Sequence, residues 1–205
     1  MKINSLIIIT IFVVFATASR QNVTDFYSGF LDYDLTYQAW SGYEDVDWYI
    51  SSSEASVYYS LWECSRKTFA DHSVPLIFWI QGGPGTSSQF AAFKEIGPLG
   101  IDKIDKEYKA SENPFSWNYF SHLVFVDQPV GTGLSYNKGS TVSDTKTATK
   151  HFLNFLYNFF RNTPWGLKSN PVYLAGEGYA GHFIPSFAEA LKNNGYLLDN
   201  VVHWG

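Results

Sequence analysis

Residues Leu174 to Phe183, LAGEGYAGHF, follow an apolar run at 171–175 and lead into a helical pattern. A strand that enters a helix through so tight a corner holds its central residue at a strained, positive φ. When that residue is serine, the hydroxyl stands exposed as a nucleophile. Gly176, Ala180 and Gly181 supply the small flanking residues that such a corner requires. Its centre is Gly178, which keeps the backbone turn and removes the hydroxyl. Acyl transfer at such a corner also needs a histidine base and an aspartate that orients it. His182 lies on the helix just after the corner, and Asp199 and His203 fall in the next β-like run, so none is placed for either role. Ser186, two turns into the helix with no strained turn to expose it, reads as a surface or packing residue.

The elements that must position this corner are legible as short apolar runs. SVYYSLW (56–62), PLIFWI (75–80), HLVFVD (122–127) and PVYLA (171–175) are aromatic or β-branched and predict buried strands. Between the last two, Phe152, Leu153, Phe155, Leu156, Phe159 and Phe160 fall on one helical face, with Ser143 or Asp144 able to cap the start and Pro164 closing the segment. Strand, helix and strand make a crossover unit, so the expected class is α/β with a mostly parallel sheet and flanking helices. Two further glycine- and proline-rich stretches, QGGPGTSS (81–88) and DQPVGTGLSY (127–136), sit at strand ends, where such sheets carry their sites.

Composition narrows the function. The chain has 205 residues, of which 45% are hydrophobic and 19% aromatic, enough for one domain with a substantial core. Its net charge of −5 and the lack of a basic run exclude a nucleic-acid partner. The five histidines are too dispersed for a metal site, and neither a cysteine pair nor HExxH is present, so no metal or other cofactor is implied. At the N-terminus, Lys2, the apolar stretch Leu6 to Phe15 and Ala16-Thr17-Ala18 fit a signal peptide over residues 1–18. The apolar stretch is shorter than the roughly 20 residues that span a bilayer, so no membrane contact is expected after cleavage. Asn22-Val23-Thr24 fits a glycan acceptor at Asn22. Cys64 is the only cysteine, and it is either buried and unpaired or separated from its partner.

Four blocks in this order resemble the serine carboxypeptidase family of α/β-hydrolases, and the likeness runs from about Ser41 to Leu191. PLIFWIQGGPGTSS (75–88) is similar to the family's oxyanion loop, and FKEIGPLGI (93–101) to the segment after it. NPFSWNYFSHLVFVDQPVGTGLSY (113–136) is similar to its second strand and loop, and LAGEGYAGHFIPSFAEAL (174–191) to its elbow and helix. Gln81 and PVGTG at 129–133 bring the vitellogenic-carboxypeptidase-like branch nearest, whereas Thr86 stands where most members have cysteine.

The resemblance implies roles position by position. Gly178 takes the nucleophile position, with the serine lost. Gly83 and Tyr179 would supply the oxyanion-hole N–H groups. Trp79, Gln81, Gly82 and Glu177 would hold the carboxylate at a peptide's C-terminus. Glu95 would form a carboxylic acid pair that shares a proton under acid conditions. Peptide C-termini are therefore the expected substrate or ligand, and the secretory pathway, with an extracellular or lysosomal/vacuolar destination, the expected location. Residues 19–205 are expected to be an incomplete domain of this kind, truncated before the last strands and the downstream Asp and His, and hence inactive in proteolysis. A non-catalytic, secreted binder of peptide C-termini is the alternative.

Overall fold

The computed structural model describes residues 20–31, 34–46, 55–104, 107–139, 141–194 and 201–204. The signal peptide expected at 1–18 lies outside them. Strands β1 (Arg20–Asn22), β2 (Ala39–Asp45), β3 (Ala55–Trp62), β4 (Leu76–Ile80), β7 (His122–Val126), β8 (Tyr136–Asn137), β9 (Val172–Gly176) and β10 (Val201–Trp204) form one sheet, ordered β1-β2-β3-β7-β4-β9-β10, with β8 added beside β3. The strands β7, β4, β9 and β10 run parallel, as the crossover pattern predicts. At the N-terminal edge, β1, β2 and β3 join antiparallel, and β3 pairs antiparallel with β7. The apolar run of β3 does not distinguish the two directions, because a strand buried on both faces shows no alternation in either. Strands β5 (Leu99–Ile104) and β6 (Glu107–Glu112) form a separate two-stranded hairpin.

Why the central strands are apolar throughout is explained by the layers that cover them. Leu76, Phe78 and Ile80 of β4 point into one core, with Val124 and Val126 of β7 and Val172 and Leu174 of β9. Ile77 and Trp79 point into the other, with Leu123 and Phe125. The first core is roofed by helix α3 (Thr145–Asn162) and helix α4 (Ala180–Asn193). The second is covered by α1 (Thr24–Leu31) and α2 (Gln89–Lys94) through Tyr27, Ala91 and Ala92.

Helix α3 follows its sequence pattern closely. Phe152, Phe155, Leu156 and Phe159 are buried, and Asp144 is the N-cap, its Oδ1 accepting the Thr147 N–H at 2.8 Å. Phe152 stacks on Phe187 of α4 with ring centroids 4.2 Å apart, and Phe159 meets Tyr59 edge-on at 5.2 Å. The first contact holds α4 against α3, and with it the corner at Gly178, while the second holds α3 on the sheet.

His122, at the start of β7, is fully buried. Its Nδ1 accepts the Cys64 N–H at 3.0 Å, so the proton sits on Nε2, and its ring lies 4.9 Å from that of Phe69. Burial pushes its pKa down to about 4. Folding thus favours the neutral ring. The stability this contributes is complete above the ordinary histidine value of 6.5 and is lost as pH falls towards 4. The expected loss over that interval is about 3 kcal/mol. Urea unfolding at neutral pH and at pH near 4 checks it: His122→Leu is less stable at neutral pH, because the Cys64 N–H loses its acceptor, but has a flatter pH dependence. Cys64 itself is buried and unpaired, its Sγ 3.7 Å from the Tyr119 carbonyl oxygen.

Candidate functional site

The site stands at the carboxyl ends of two neighbouring parallel strands. Trp79 and Ile80 of β4 are in register with Ala175 and Gly176 of β9, so the two chains leave the sheet side by side. They leave it tightly packed. A Cβ added to Gly176 would lie 2.2 Å from the Ile80 carbonyl oxygen, and one added to Gly82 would lie 2.6 Å from both Glu177 O and Tyr179 N. Only glycine permits this approach.

The turn from β9 into α4 is the sharp corner read from the sequence. Gly178 has φ +59, a left-handed conformation, and among the described residues no atom beyond Gly178 and its two chain neighbours lies within 4 Å of where its Cβ would be. The Gly181 N–H closes the turn on Gly178 O at 3.1 Å. Ser186 is one of α4's own residues, its hydroxyl 3.4 Å from the His182 carbonyl, and His182 Nε2 faces Thr145 Oγ1 at 3.0 Å.

Side chains from both strand ends meet across this seam. Trp79 Nε1 donates to Gln81 Oε1 at 2.8 Å, which orients the amide, and Gln81 Nε2 donates to Glu177 Oε1 at 2.6 Å. Gln81 is buried whereas Glu177 is exposed, so the chain of hydrogen bonds leads from the core to solvent. Glu95, at the C-terminus of α2, comes close enough that burial and the Glu177 charge raise its pKa, and among the described residues its Oε2 has no hydrogen-bond partner. Gly83, at φ +110, follows Gly82 in the loop, and Tyr179 follows Gly178. Among the described residues, neither backbone N–H donates to another backbone group. Asn22 lies apart from this cluster on β1, exposed, with its Oδ1 accepting the Thr24 N–H at 2.9 Å. Among the described residues no His, Cys, Asp and Glu cluster is arranged to hold a metal ion.

The sequence reading missed what holds the loop. Asp127, fully buried at the end of β7, accepts from Ser87 Oγ at 2.7 Å, Ser88 N at 2.8 Å and Leu134 N at 3.0 Å. Ser88 Oγ donates to Val126 O at 2.6 Å and accepts the Gln81 N–H at 3.0 Å. One carboxylate therefore ties the loop at 81–88 to the loop at 128–135. The signal was an aspartate ending an apolar strand, where a buried charge demands several donors.

This geometry has close counterparts. The sequence profile of the serine carboxypeptidase family matches residues 30–199. The chain belongs to the serine carboxypeptidase family. Carboxypeptidase Y of Komagataella phaffii is 37% identical over 175 residues, 84% of this chain and 31% of that relative. A carboxypeptidase Y homolog A of Uncinocarpus reesii is 44% identical over 131 residues, 62% of this chain and 23% of the relative. Among solved structures, Kex1(Δ)p, a prohormone-processing carboxypeptidase from Saccharomyces cerevisiae, superposes with a TM-score of 0.66 at 32% identity, covering 78% of this chain and 35% of that one. This serine carboxypeptidase family member thus spans about a third or less of the length of the relatives it matches. Members of the family act on peptides, and the α/β fold described above is theirs.

Proposed function

We propose that this protein binds the carboxyl ends of peptides on a serine carboxypeptidase scaffold without forming an acyl-enzyme at its elbow. The observation that carries the reading is the hydrogen bond between Gln81 and Glu177 beside a left-handed Gly178 that has open space and no side chain. In this reading Trp79, Gln81, Gly82, Glu95 and Glu177 receive the terminal carboxylate, and the N–H groups of Gly83 and Tyr179 face the carbonyl of the preceding peptide bond. The nucleophilic step of the family reaction has no hydroxyl at position 178, and Ser186, bonded within its own helix, does not replace it. Gln81 and the loop at 129–133 favour the vitellogenic-carboxypeptidase-like branch. A signal peptide at 1–18 and a glycan on exposed Asn22 would send the protein through the secretory pathway to an extracellular or lysosomal/vacuolar destination.

Calorimetry with peptides of one sequence, ending in either a free acid or an amide, tests the reading. The acid is expected to bind more tightly, while a serine-directed fluorophosphonate leaves the protein unlabelled. Equal affinity for acid and amide, or a label at the elbow, overturns it. The pH dependence follows from Glu95. Its raised pKa keeps a protonated carboxyl, able to donate to the bound carboxylate, up to a higher pH than an ordinary glutamate. Affinity for the acid should fall as pH rises through that raised value, and Glu95→Gln, a neutral donor at every pH, should flatten the profile.

A further inference from the structure

Asn22, the expected glycan acceptor, ends β1, the outer strand of the sheet, and lies directly across the antiparallel ladder from Trp40 of β2. Directly opposed residues of such a pair point to the same face, with Cβ atoms about 4.5–5.5 Å apart. That face is the one roofed by α3. Trp40 packs on the first core and meets Trp165 edge-on, with ring centroids 4.9 Å apart. Arg20, two residues before Asn22 and so on its side of the strand, donates to the Asn162 carbonyl at the end of α3 and lies 5.7 Å from the centroid of the Trp165 ring. Both tryptophans are only half-buried, and Asn22 and Gln38 are exposed.

This patch has the chemistry that receives a pyranose ring. An indole takes the apolar C–H face of a sugar, while amide and guanidinium groups at its border take the hydroxyls. The parts are held in place. Trp40 Nε1 donates to Gln38 Oε1 at 3.1 Å, which orients the indole, and Asn22 Oδ1 accepts the Thr24 N–H at 2.9 Å, which orients the amide at the start of α1. A glycan uses the other end of that amide. Its attachment exchanges one Nδ2 hydrogen for a bond to C1 of the first N-acetylglucosamine. The oligosaccharide comes from a lipid pyrophosphate donor, and the pyrophosphate leaves and takes up the proton. The Oδ1 acceptor survives the exchange, so the sugar and the Thr24 hydrogen bond are compatible.

We propose that the first N-acetylglucosamine on Asn22 packs against the Trp40 indole, so that the glycan covers the half-buried tryptophans and fastens the outer strand β1 to the sheet. The inference rests on the proposed glycan at Asn22. Protein secreted from a host that adds high-mannose glycans tests it in three forms: intact, trimmed by an endoglycosidase to a single N-acetylglucosamine, and stripped by a glycoamidase. Stripping converts the asparagine to aspartate, which keeps an oxygen acceptor for the Thr24 N–H. The intact and trimmed forms should melt together and the stripped form about 1–4 °C lower. In the trimmed form the sugar ring protons should resonate upfield of their positions in a free glycopeptide, because they lie over an aromatic ring. Trp40→Leu should bring the trimmed and stripped forms to one melting temperature and return the sugar resonances to their free positions. If that variant does not fold, the resonances of the wild-type protein decide by themselves. Sugar protons at their free positions, equal melting of the trimmed and stripped wild type, or a difference that survives Trp40→Leu overturns the proposal and leaves the glycan at Asn22 standing. A secreted protein whose mass carries no glycan overturns both.

Discussion

Replacing Asp127 by alanine lowers the stability of the fold by about 4 kcal/mol or more, the largest effect expected of any single substitution near the site. The carboxylate is fully buried and serves Ser87, Ser88 and Leu134 at once. Its removal strands three donors in the interior, each costing about 1–3 kcal/mol when left unsatisfied. Asp127→Asn should lose less. Its remaining oxygen still accepts from Ser87 and Ser88, while its amide N–H groups face the Leu134 N–H and leave that donor unpaired. Urea denaturation checks the order wild type, Asn, Ala. An alanine variant as stable as wild type would show that water replaces the carboxylate, and that the two loops do not depend on it.

Gly82→Ala abolishes the preference for acid over amide peptides and costs about 1–3 kcal/mol of stability, the usual range for overpacking a tight interior. The new methyl would sit 2.6 Å from two backbone atoms, Glu177 O and Tyr179 N, in a seam with no flexible side chain to yield. Relief requires the loop at 81–88 to separate from the elbow. That movement pulls Gln81 away from Glu177, whose 2.6 Å hydrogen bond is the centre of the proposed carboxylate site, and displaces the Gly83 N–H relative to that of Tyr179. The same peptide pair used for the native protein reads the outcome, together with a thermal melt that separates a distorted site from an unfolded chain. Retention of the acid preference in a folded Gly82→Ala protein would mean that the carboxylate is bound elsewhere.

Local patterns in the chain were enough to specify local structure. Five-residue apolar runs became β4, β7 and β9 because strands covered on both faces carry no polar side. The 3.6-residue spacing of phenylalanines and leucines, with Asp144 ahead of it, became α3 with Asp144 as its cap. The small residues around 178 became a strand-to-helix corner with Gly178 at positive φ, since few other sequences tolerate that turn. The order and direction of the strands were not written in this way. Strand β3 is as fully buried as β4 yet runs antiparallel, and the β5–β6 hairpin mixes polar and apolar residues with no periodic signal. Above all, that Gln81 bonds Glu177, 96 residues away, follows from β4 and β9 being neighbours in register. The Asp127 clamp depends likewise on loops from different strands converging. Side-chain periodicity reports which face of a segment is buried, because burial is a property each residue expresses alone. Which segments share that burial is decided by the packing of the whole sheet, and only there do the separate motifs become one site.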